Sequence, residues 1–289
     1  PSWPSGSRAS TRGPWTSAPS GAPSRGDAGL EIYADLHTHT RHSHGRGTVE
    51  ENVAAAEARG LEAVAITDHG PANIFYGLKG PRALDAIAVE AEEAARRHPG
   101  VRVLRGIEAN VVDLDGRLDL PRQVLERLDL VLAGLHVEIW PERPREAIRL
   151  IIPNAPLVRL SRRWSRRARV NNTKALVEAV HRYRVDIVTH PGLRLSVDTP
   201  ELARACARRG TAMEINAYHG IMSEEYIRVA AREGVRFAIN SDAHSPDRVG
   251  RFERGVVLAE RAGLSPEQVL NARAGGGERV PGAKSSMAE

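Results

Sequence analysis

Short apolar runs alternate with helix-like segments along most of the chain. Seven runs have the length and composition of buried strands: Ile32–Leu36, Ala63–Thr67, Val101–Ile107, Leu128–Leu135, Val185–Thr189, Ala212–Asn216 and Arg236–Asn240. The other segments have the spacing and end signals of helices: Val49–Arg59, Pro81–Arg97, Pro121–Glu126, Thr173–Tyr183, Pro200–Arg209, Ser223–Glu233 and Ser265–Ala272. This alternation predicts an α/β fold with a parallel sheet. Because polar residues follow most of the strands, a closed TIM-like barrel is favoured over an open sheet.

The chain of 289 residues divides into three regions. Residues 1–29 are rich in Pro, Ser, Gly and Arg without periodicity, which predicts a disordered segment. Residues 30–273 predict a single barrel domain with an arginine-rich insertion at about 141–170. Residues 274–289 contain three consecutive glycines and predict a flexible tail.

The insertion, Trp140–Val170, interrupts the alternation between the fourth strand and the next helix. It carries four prolines and a cluster of six arginines at Arg159, Arg162, Arg163, Arg166, Arg167 and Arg169. Its position places it on the side of a barrel where active sites form. The sequence leaves two interpretations open, a solvated mobile insertion or an arm that covers the site and attracts phosphate.

The composition and charge limit the kinds of binding partner and the cellular compartment that are expected. The net charge of +5 and the pI of about 9.8 favour anionic partners, either phosphorylated metabolites or nucleic acid. Cys206 is the single cysteine, which excludes an internal disulfide and predicts buried packing in a reducing, cytoplasmic setting. No run approaches 18 apolar residues and the N-terminus lacks an apolar core, so neither a membrane span nor a secretory signal is expected.

Histidines and carboxylates follow the predicted strands at corresponding positions. His37 and His39 lie two apart at the end of the first strand, where they can face one ion together. The later strands and the first loop add His44, His69, Glu108, His136, His190, Asp242 and His244. Any one of these histidines alone would be a hydrogen-bonded residue at a strand end. Together they predict a site for two or three divalent ions, and imidazole with carboxylate suits zinc, manganese or iron.

The motifs around these residues resemble those of the polymerase and histidinol phosphatase (PHP) family. They are, in chain order, Asp-Leu-His-Thr-His-Thr, Ile-Thr-Asp-His-Gly, Gly-Ile-Glu-Ala-Asn, Thr-His-Pro-Gly and Ser-Asp-Ala-His, between about Glu31 and Arg248. The resemblance implies a distorted barrel of seven β/α units. It also implies a metal-dependent phosphoesterase, or a nuclease or proofreading domain.

The resemblance implies a role for each ligand. His37, His39 and Asp242 would hold the first ion, and Glu108 would bridge it to the second. The second would be completed by His136 and His190, and the third would be held by His44, His69 and His244. His42 is an alternative to His44 in the same loop.

Other polar residues near the ligands are candidates for supporting roles. Asp35 and Asp68 are expected to orient the metal-binding histidines. Arg46, Arg194 and Arg248 lie on loops beside ligands and are candidates for contacts to a substrate phosphate. His219 follows the sixth strand and is a further candidate for contacting ligands or substrate.

Three functions are compatible with these patterns. The leading hypothesis is a hydrolase that cleaves a small phosphomonoester through a metal-bridging hydroxide. The first alternative is a 3′–5′ exonuclease or phosphodiesterase that acts on nucleic-acid ends, and the second is a non-catalytic metal-binding regulatory module. The sequence does not select a substrate, a metal or an oligomeric state.

Overall fold

The computed structural model describes residues 29–140, 144–155, 157–220 and 222–275. The segment expected to be disordered (1–29) and the expected tail (274–289) therefore lie almost wholly outside the described residues. Glu31 and Ala274, near the two ends of the described chain, belong to short strands that pair with each other.

Nine strands are present in the described residues: β1 Leu30–Ile32, β2 Ala34–Thr38, β3 Ala63–Ile66, β4 Arg102–Asn110, β5 Leu130–Gly134, β6 Ile187–Val188, β7 Ala212–Asn216, β8 Phe237–Asn240 and β9 Ala272–Ala274. Strands β2 to β8 form one parallel sheet in chain order. The two remaining strands, β1 and β9, make a separate antiparallel pair. The seven predicted strands are therefore confirmed, most with different ends: β2 and β4 extend beyond the predicted ends, to Thr38 and Asn110, β7 has the predicted ends, and the other four are shorter. The β1–β9 pair was not predicted.

The seven-stranded sheet nearly closes into a barrel between its first and last strands. The His39 amide donates to the Ala243 carbonyl at 2.8 Å, and Thr38 and Ala243 pair in parallel. The Leu36 amide donates to Asn240 Oδ1 at 3.2 Å. The predicted TIM-like (β/α)7 barrel is confirmed.

Two hydrophobic clusters pack against the sheet, one on each side. The inner cluster fills the lower part of the barrel and includes Leu36, Leu104, Leu132 and Ile187. The outer cluster lies between the strands and the surrounding helices, and it contains Cys206, whose side chain is fully buried as expected. Burial raises the pKa of its thiol to about 12, which makes it unreactive.

Eight α-helices are described: α1 Val49–Ala58, α2 Pro81–Arg97, α3 Arg122–Leu125, α4 Pro144–Glu146, α5 Arg162–Arg182, α6 Thr199–Arg209, α7 Glu224–Arg232 and α8 Glu253–Ala262. None of these described helices is long and apolar enough to cross a membrane. Helix α8 was not predicted.

The predicted helix Ser265–Ala272 is wrong. Pro266–Gln268 forms a single 3₁₀ turn, and the chain then extends into β9. Asn271 explains the extended path, because its side-chain amide donates to the carbonyls of Ala34 and Ile239, both at 2.7 Å. These bonds connect the C-terminal segment to the bottom of β2 and β8.

The arginine-rich segment also contains helical structure that the sequence did not predict. Helix α5 begins at Arg162 rather than at Thr173, because Ala168 and Asn172 bury one face while the arginines occupy exposed positions. Before it, residues 144–155 fold into α4, a π-helical turn at Ala147–Ile151 and a 3₁₀ turn at Ile152–Asn154. Leu150 and Asn154 are buried, so this described part packs against the barrel.

Candidate metal centre

The carboxyl ends of the barrel strands bring the predicted ligands together. His37 is the penultimate residue of β2, within a register irregularity between Asp35 and Thr38, and His39 directly follows the strand. The two rings, which lie two residues apart, meet with their Nε2 atoms 3.1 Å apart. Both side chains are fully buried.

Glu108, at the end of β4, lies between two groups of histidines. Its Oε1 atom is 3.3 Å from His136 Nε2 and 2.9 Å from His190 Nε2. Its Oε2 atom is 3.4 Å from His37 Nε2 and 2.7 Å from His69 Nδ1. The two oxygens of one carboxylate therefore face different imidazole pairs, as a bridging ligand would.

Asp242 completes the group around His37 and His39. Its Oδ1 atom lies 3.6 Å from His37 Nε2 and 3.2 Å from His39 Nε2, and its backbone has a positive φ of 50°. Ligands at zinc distances of 2.0–2.2 Å in a tetrahedron are separated by about 3.3–3.6 Å. The donor atoms of His37, His39, Glu108 and Asp242 therefore have the spacing that one ion requires.

A third group gathers on the opposite side of His39. Ligand atoms of His39, His44, His69 and His244 all lie within 4.8 Å of one another. The His44 ring lies 4.9 Å from the His69 ring and 4.2 Å from the His244 ring, measured between centroids. His42 lies away from this group, with its Nε2 atom 3.0 Å from Glu90 Oε1.

Unpartnered buried atoms test whether the site fits metal ions. Eight buried side-chain atoms of the described chain make no hydrogen bond of acceptable geometry. Two of them, Asn52 Oδ1 and Thr189 Oγ1, lie outside the ligand set, and the other six are His39 Nδ1, His44 Nδ1, His69 Nδ1, Glu108 Oε2, His136 Nε2 and Asp242 Oδ1. Buried polar atoms are rarely left without partners. All six belong to the predicted ligand set, so bound cations are the partners that would satisfy them.

The electrostatics of the cluster favour cations. Burial opposes ionisation of Glu108, but the nearby His69, His37 and His136 hold its pKa well below its usual value. Asp242 has a strongly lowered pKa because His37 outweighs the same burial effect. Both carboxylates are therefore ionised. Burial opposes protonation of His37 and His136, but the neighbouring carboxylates raise the pKa of both rings, so bound metal ions would displace protons from them.

Three of the histidines are held in the neutral form that binds metals. Burial, together with His69, keeps the pKa of His39 well below its usual value. Burial and the neighbouring His244 lower the pKa of His44 to about 3. Burial also lowers the pKa of His244. These imidazoles keep a free lone pair for a metal at neutral pH.

Glu214 is a functional candidate that the sequence analysis missed. It is fully buried on β7, and its Oε1 atom lies 2.7 Å from His37 Nδ1, the ring nitrogen that faces away from the cluster. It also accepts from the His190 amide at 2.8 Å and from Asn240 Nδ2 at 2.9 Å. A carboxylate in the middle of the apolar run Ala212–Asn216 was the signal that could have identified it.

Asn110 and Asp119 orient another predicted metal ligand, His136. The Asn110 Oδ1 atom lies 2.7 Å from His136 Nδ1. The Asn110 amide in turn donates to Asp119 Oδ2 at 2.6 Å. Contacts of this kind fix the tautomer and the orientation of a metal-binding imidazole.

The two aspartates expected to orient histidine rings do something else. Asp35 accepts from the backbone amides of Ser241 and Gly250 at 3.2 and 2.8 Å. Asp68 accepts from the Thr40 amide at 2.8 Å and from the hydroxyls of Thr40 and Ser43. Both carboxylates therefore hold the loops that carry ligands, because they face backbone amides and hydroxyl groups instead of imidazole rings.

The ligand cluster opens into a cavity of about 390 Å³. Arg46 and Arg194 line it, and His219 lies in its wall with Nε2 3.3 Å from Asp242 Oδ2. Arg248 packs over the Tyr218 ring at 4.8 Å and does not belong to this lining in the described structure. Two of the three candidate phosphate-binding arginines are therefore at the site.

A family model described as the PHP domain matches residues 35–216, which is more than half of the chain. The chain belongs to the PHP family. The match contains the ligands from His37 to His190, and Asp242 and His244 lie beyond it. The resemblance inferred from the motifs is thus confirmed.

Similar proteins extend the match over nearly the whole chain. A protein named probable phosphatase from Caldanaerobacter subterraneus subsp. tengcongensis is 34% identical over 262 residues, covering 86% of this chain and 90% of the relative. One with the same name from Thermoanaerobacter sp. is 31% identical over 261 residues, covering 85% and 93%. The crystal structure of histidinol phosphate phosphatase from Lactococcus lactis, complexed with zinc, L-histidinol and phosphate, shares the fold. Its TM-score is 0.55 at 16% identity, over 81% of this chain and 95% of that chain.

Proposed function

We propose that this PHP chain hydrolyses small phosphomonoesters with two or three divalent ions held by the cluster. The observation that carries the proposal is the position of Glu108, whose two oxygens face separate groups of imidazoles. The broader class, a metal-dependent hydrolase of phosphoric esters, is the one indicated by the family and by relatives named as phosphatases.

We assign the ligands to three ions as the family resemblance implies. His37, His39, Asp242 and Glu108 would hold the first, and Glu108 with His136 and His190 the second. His44, His69 and His244 would hold the third. Zinc, manganese and iron all accept this mixture of imidazole and carboxylate, and the Lactococcus lactis relative was crystallised with zinc. Such ions, when bound, activate water near neutral pH and neutralise phosphoryl oxygens.

Arg46, Arg194 and His219 make the cavity suitable for binding a phosphate dianion. Arg46 and Arg194 line the cavity beside the ligands, and their guanidinium groups can neutralise charge that develops on the phosphoryl oxygens. His219 lies in the same wall, within reach of Asp242, and can donate a hydrogen bond to the phosphate. A cytoplasmic location remains a prediction from the cysteine content.

The test of this proposal is a screen of metal-reconstituted protein against phosphomonoesters, 3′-phosphorylated oligonucleotides and single-stranded DNA. Hydrolysis of small phosphomonoesters with zinc, manganese or iron is expected. If DNA is degraded while no small phosphomonoester is hydrolysed, the nuclease function replaces the one proposed.

The arginines of α5 provide the observation that favours the nuclease alternative. Arg162, Arg166 and Arg169 share one face of the helix and line a separate cavity of about 760 Å³. Arg169 pairs with Asp198 at the edge of that cavity. A nucleic acid bound there would show a steep loss of affinity with salt.

We predict that the charge-neutral variants R162Q, R163Q, R166Q and R167Q, combined in one protein, keep most of the turnover on a simple phosphomonoester. The reason is that these side chains lie on α5, outside the lining of the metal cavity. The measurement is kcat and KM for wild type and variant at physiological salt. If the wild type binds and degrades single-stranded DNA at physiological salt, and the variant loses both properties, the nuclease function replaces the one proposed.

We also predict that His44→Ala lowers both metal content and activity, whereas His42→Ala has little effect on either. His44 lies among the imidazoles of the third group, while His42 is held beside Glu90. Elemental analysis and turnover of the two purified variants check this pair. The opposite pattern would make His42 the ligand.

A further inference from the structure

A second cavity, of about 380 Å³, adjoins the cavity of the metal cluster. The two cavities share part of their lining, namely Leu135, His136, Val137, Arg194 and Leu195. The second cavity therefore lies next to the metal cavity, close enough for the organic part of a substrate whose phosphoryl group is at the metal cluster. The volume of the second cavity lies within the range of about 300–1,000 Å³ that is usual for ligand pockets.

The second cavity is lined mainly by hydrophobic side chains. Ile139 follows β5, and Leu150 and Ile151 come from the π-helical turn of the segment 144–155. Ile139 and Leu150 are almost fully buried. The described part of the arginine-rich insertion therefore forms a wall of this cavity. None of its arginines lines that wall.

Two asparagines form the polar part of the wall, but their donors are already used. Asn154 Nδ2 donates to the Leu150 carbonyl at 2.6 Å and to Asn172 Oδ1 at 2.8 Å. Asn172 Nδ2 donates to Asn154 Oδ1 and to the Ser196 carbonyl, both at 3.0 Å. Because a side-chain amide has two N–H groups, neither asparagine keeps a donor for a ligand.

The charged groups of this lining belong to the part shared with the metal cavity, and Arg194 Nη1 lies 3.6 Å from Oε1 of Glu138, which lines the metal cavity but not the second one. Glu108 Oε1 lies 3.3 Å from His136 Nε2, and Arg194 lines both cavities. No carboxylate belongs to the described lining of the second cavity. A cationic amine would therefore lose its hydration there without gaining a counter-ion, and a polyol would leave several hydroxyls unpaired.

We propose that the second cavity binds the organic part of the substrate, and that this part is an uncharged, hydrocarbon-rich alcohol. This inference rests on the proposed phosphomonoesterase function. Hydrolysis would break the P–O bond to that alcohol; water supplies the oxygen to phosphorus, and a proton goes to the alcohol oxygen. The alcohol is then released from the apolar cavity.

The experiment compares alkyl phosphates whose leaving alcohols have similar intrinsic reactivity. The apolar pair is 3-phenylpropyl phosphate and cyclohexylmethyl phosphate, and the polar pair is glycerol 3-phosphate and ethanolamine phosphate. We expect kcat/KM of the metal-reconstituted protein to be at least about 10-fold higher for the apolar pair, since each apolar group buried in a fitted pocket contributes roughly 10-fold or more.

Adjacent isoleucines offer a matched pair of variants. Ile151 lines the cavity, whereas Ile152 is 42% exposed and is not part of the lining. Ile151→Trp should fill the cavity and lower the apolar-to-polar ratio of kcat/KM at least about 10-fold, while Ile152→Trp leaves the ratio unchanged. Ala155→Leu fills the same cavity and replaces Ile151→Trp if that variant does not fold.

A binding measurement accompanies the kinetics. Calorimetry should detect binding of 3-phenylpropanol to wild type and to Ile152→Trp, with weaker binding to Ile151→Trp. Hydrolysis without preference for the apolar pair, or an unchanged ratio in the cavity-filling variant, would overturn this inference and leave the proposed function standing. If neither pair is hydrolysed with any of the three metals, the proposed function fails and the inference fails with it.

Discussion

Replacing Glu108 by Gln should lower phosphomonoester turnover at least about 100-fold, because the charge that holds two cations about 3.5–4 Å apart is removed. The amide keeps the shape of the side chain, so the barrel should stay folded. The carboxylate is fully buried and contacts the imidazoles of both ligand groups, so no other described side chain can substitute for it. The measurements are kcat/KM and metal content, with circular dichroism to verify the fold.

Glu126→Gln is the matched control, since Glu126 is an exposed glutamate at the end of α3. It should behave as wild type in every measurement. A Glu108→Gln variant with near-normal turnover would show that Glu108 is not the bridge. A variant that loses metal but keeps binding to a partner protein would instead favour the regulatory-module hypothesis.

Glu214→Gln should weaken metal binding by about 10–100-fold, which is the usual effect of removing a group that orients a ligand. The carboxylate lies 2.7 Å from His37 Nδ1 and also accepts from the His190 amide, so it supports ligands of two ions. Gln can accept at one oxygen only, and its NH₂ group would face donors. The measurement is metal affinity by competition with a chelator, together with the melting temperature of the metal-free protein.

Measurements on the metal-free protein distinguish a loss of ligand orientation from a loss of folding stability in the Glu214→Gln variant. If Glu214 only stabilised the barrel, the variant would melt at a lower temperature and its folded fraction would bind metal normally. We expect weaker metal binding at temperatures where the variant is fully folded. Glu201→Gln, an exposed change near the start of α6, should alter neither measurement.

Much of the barrel could be predicted because its strands are short, apolar and separated by helices. Once β2 to β8 are parallel neighbours in chain order, the residues after each strand must meet at one end. This geometry is why His37, Glu108, His190 and Asp242, which are distant in sequence, could be assigned to one cluster. The His44 position could be favoured over His42 only through the family pattern.

Residues whose role depends on cross-strand contacts could not be predicted in the same way. Glu214 contacts His37 from a strand 177 residues away, and the sequence pattern shows only a carboxylate in an apolar run. Asp35 and Asp68 were expected beside imidazoles, yet they accept hydrogen bonds from backbone amides and hydroxyl groups. A shift of one residue in strand register changes which groups a strand side chain contacts, and the local sequence does not specify that register.

The C-terminal elements were mispredicted for a similar reason. The segment Ser265–Ala272 was predicted as a helix, but Val269 pairs with Phe237, and the nearby Asn271 binds the backbone of two strands. These long-range bonds outweigh local helical preference. Helix α5 extends to Arg162 because its buried face continues through Ala168, a pattern that the surrounding arginines obscure.

Elemental analysis of the purified protein, after reconstitution with zinc, manganese or iron, tests the central claim most directly. The predicted result is two to three equivalents of divalent metal per chain, lowered in Glu108→Gln and unchanged in Glu126→Gln. Fewer than one equivalent in the wild-type protein would contradict the metal centre and the phosphoesterase function built on it.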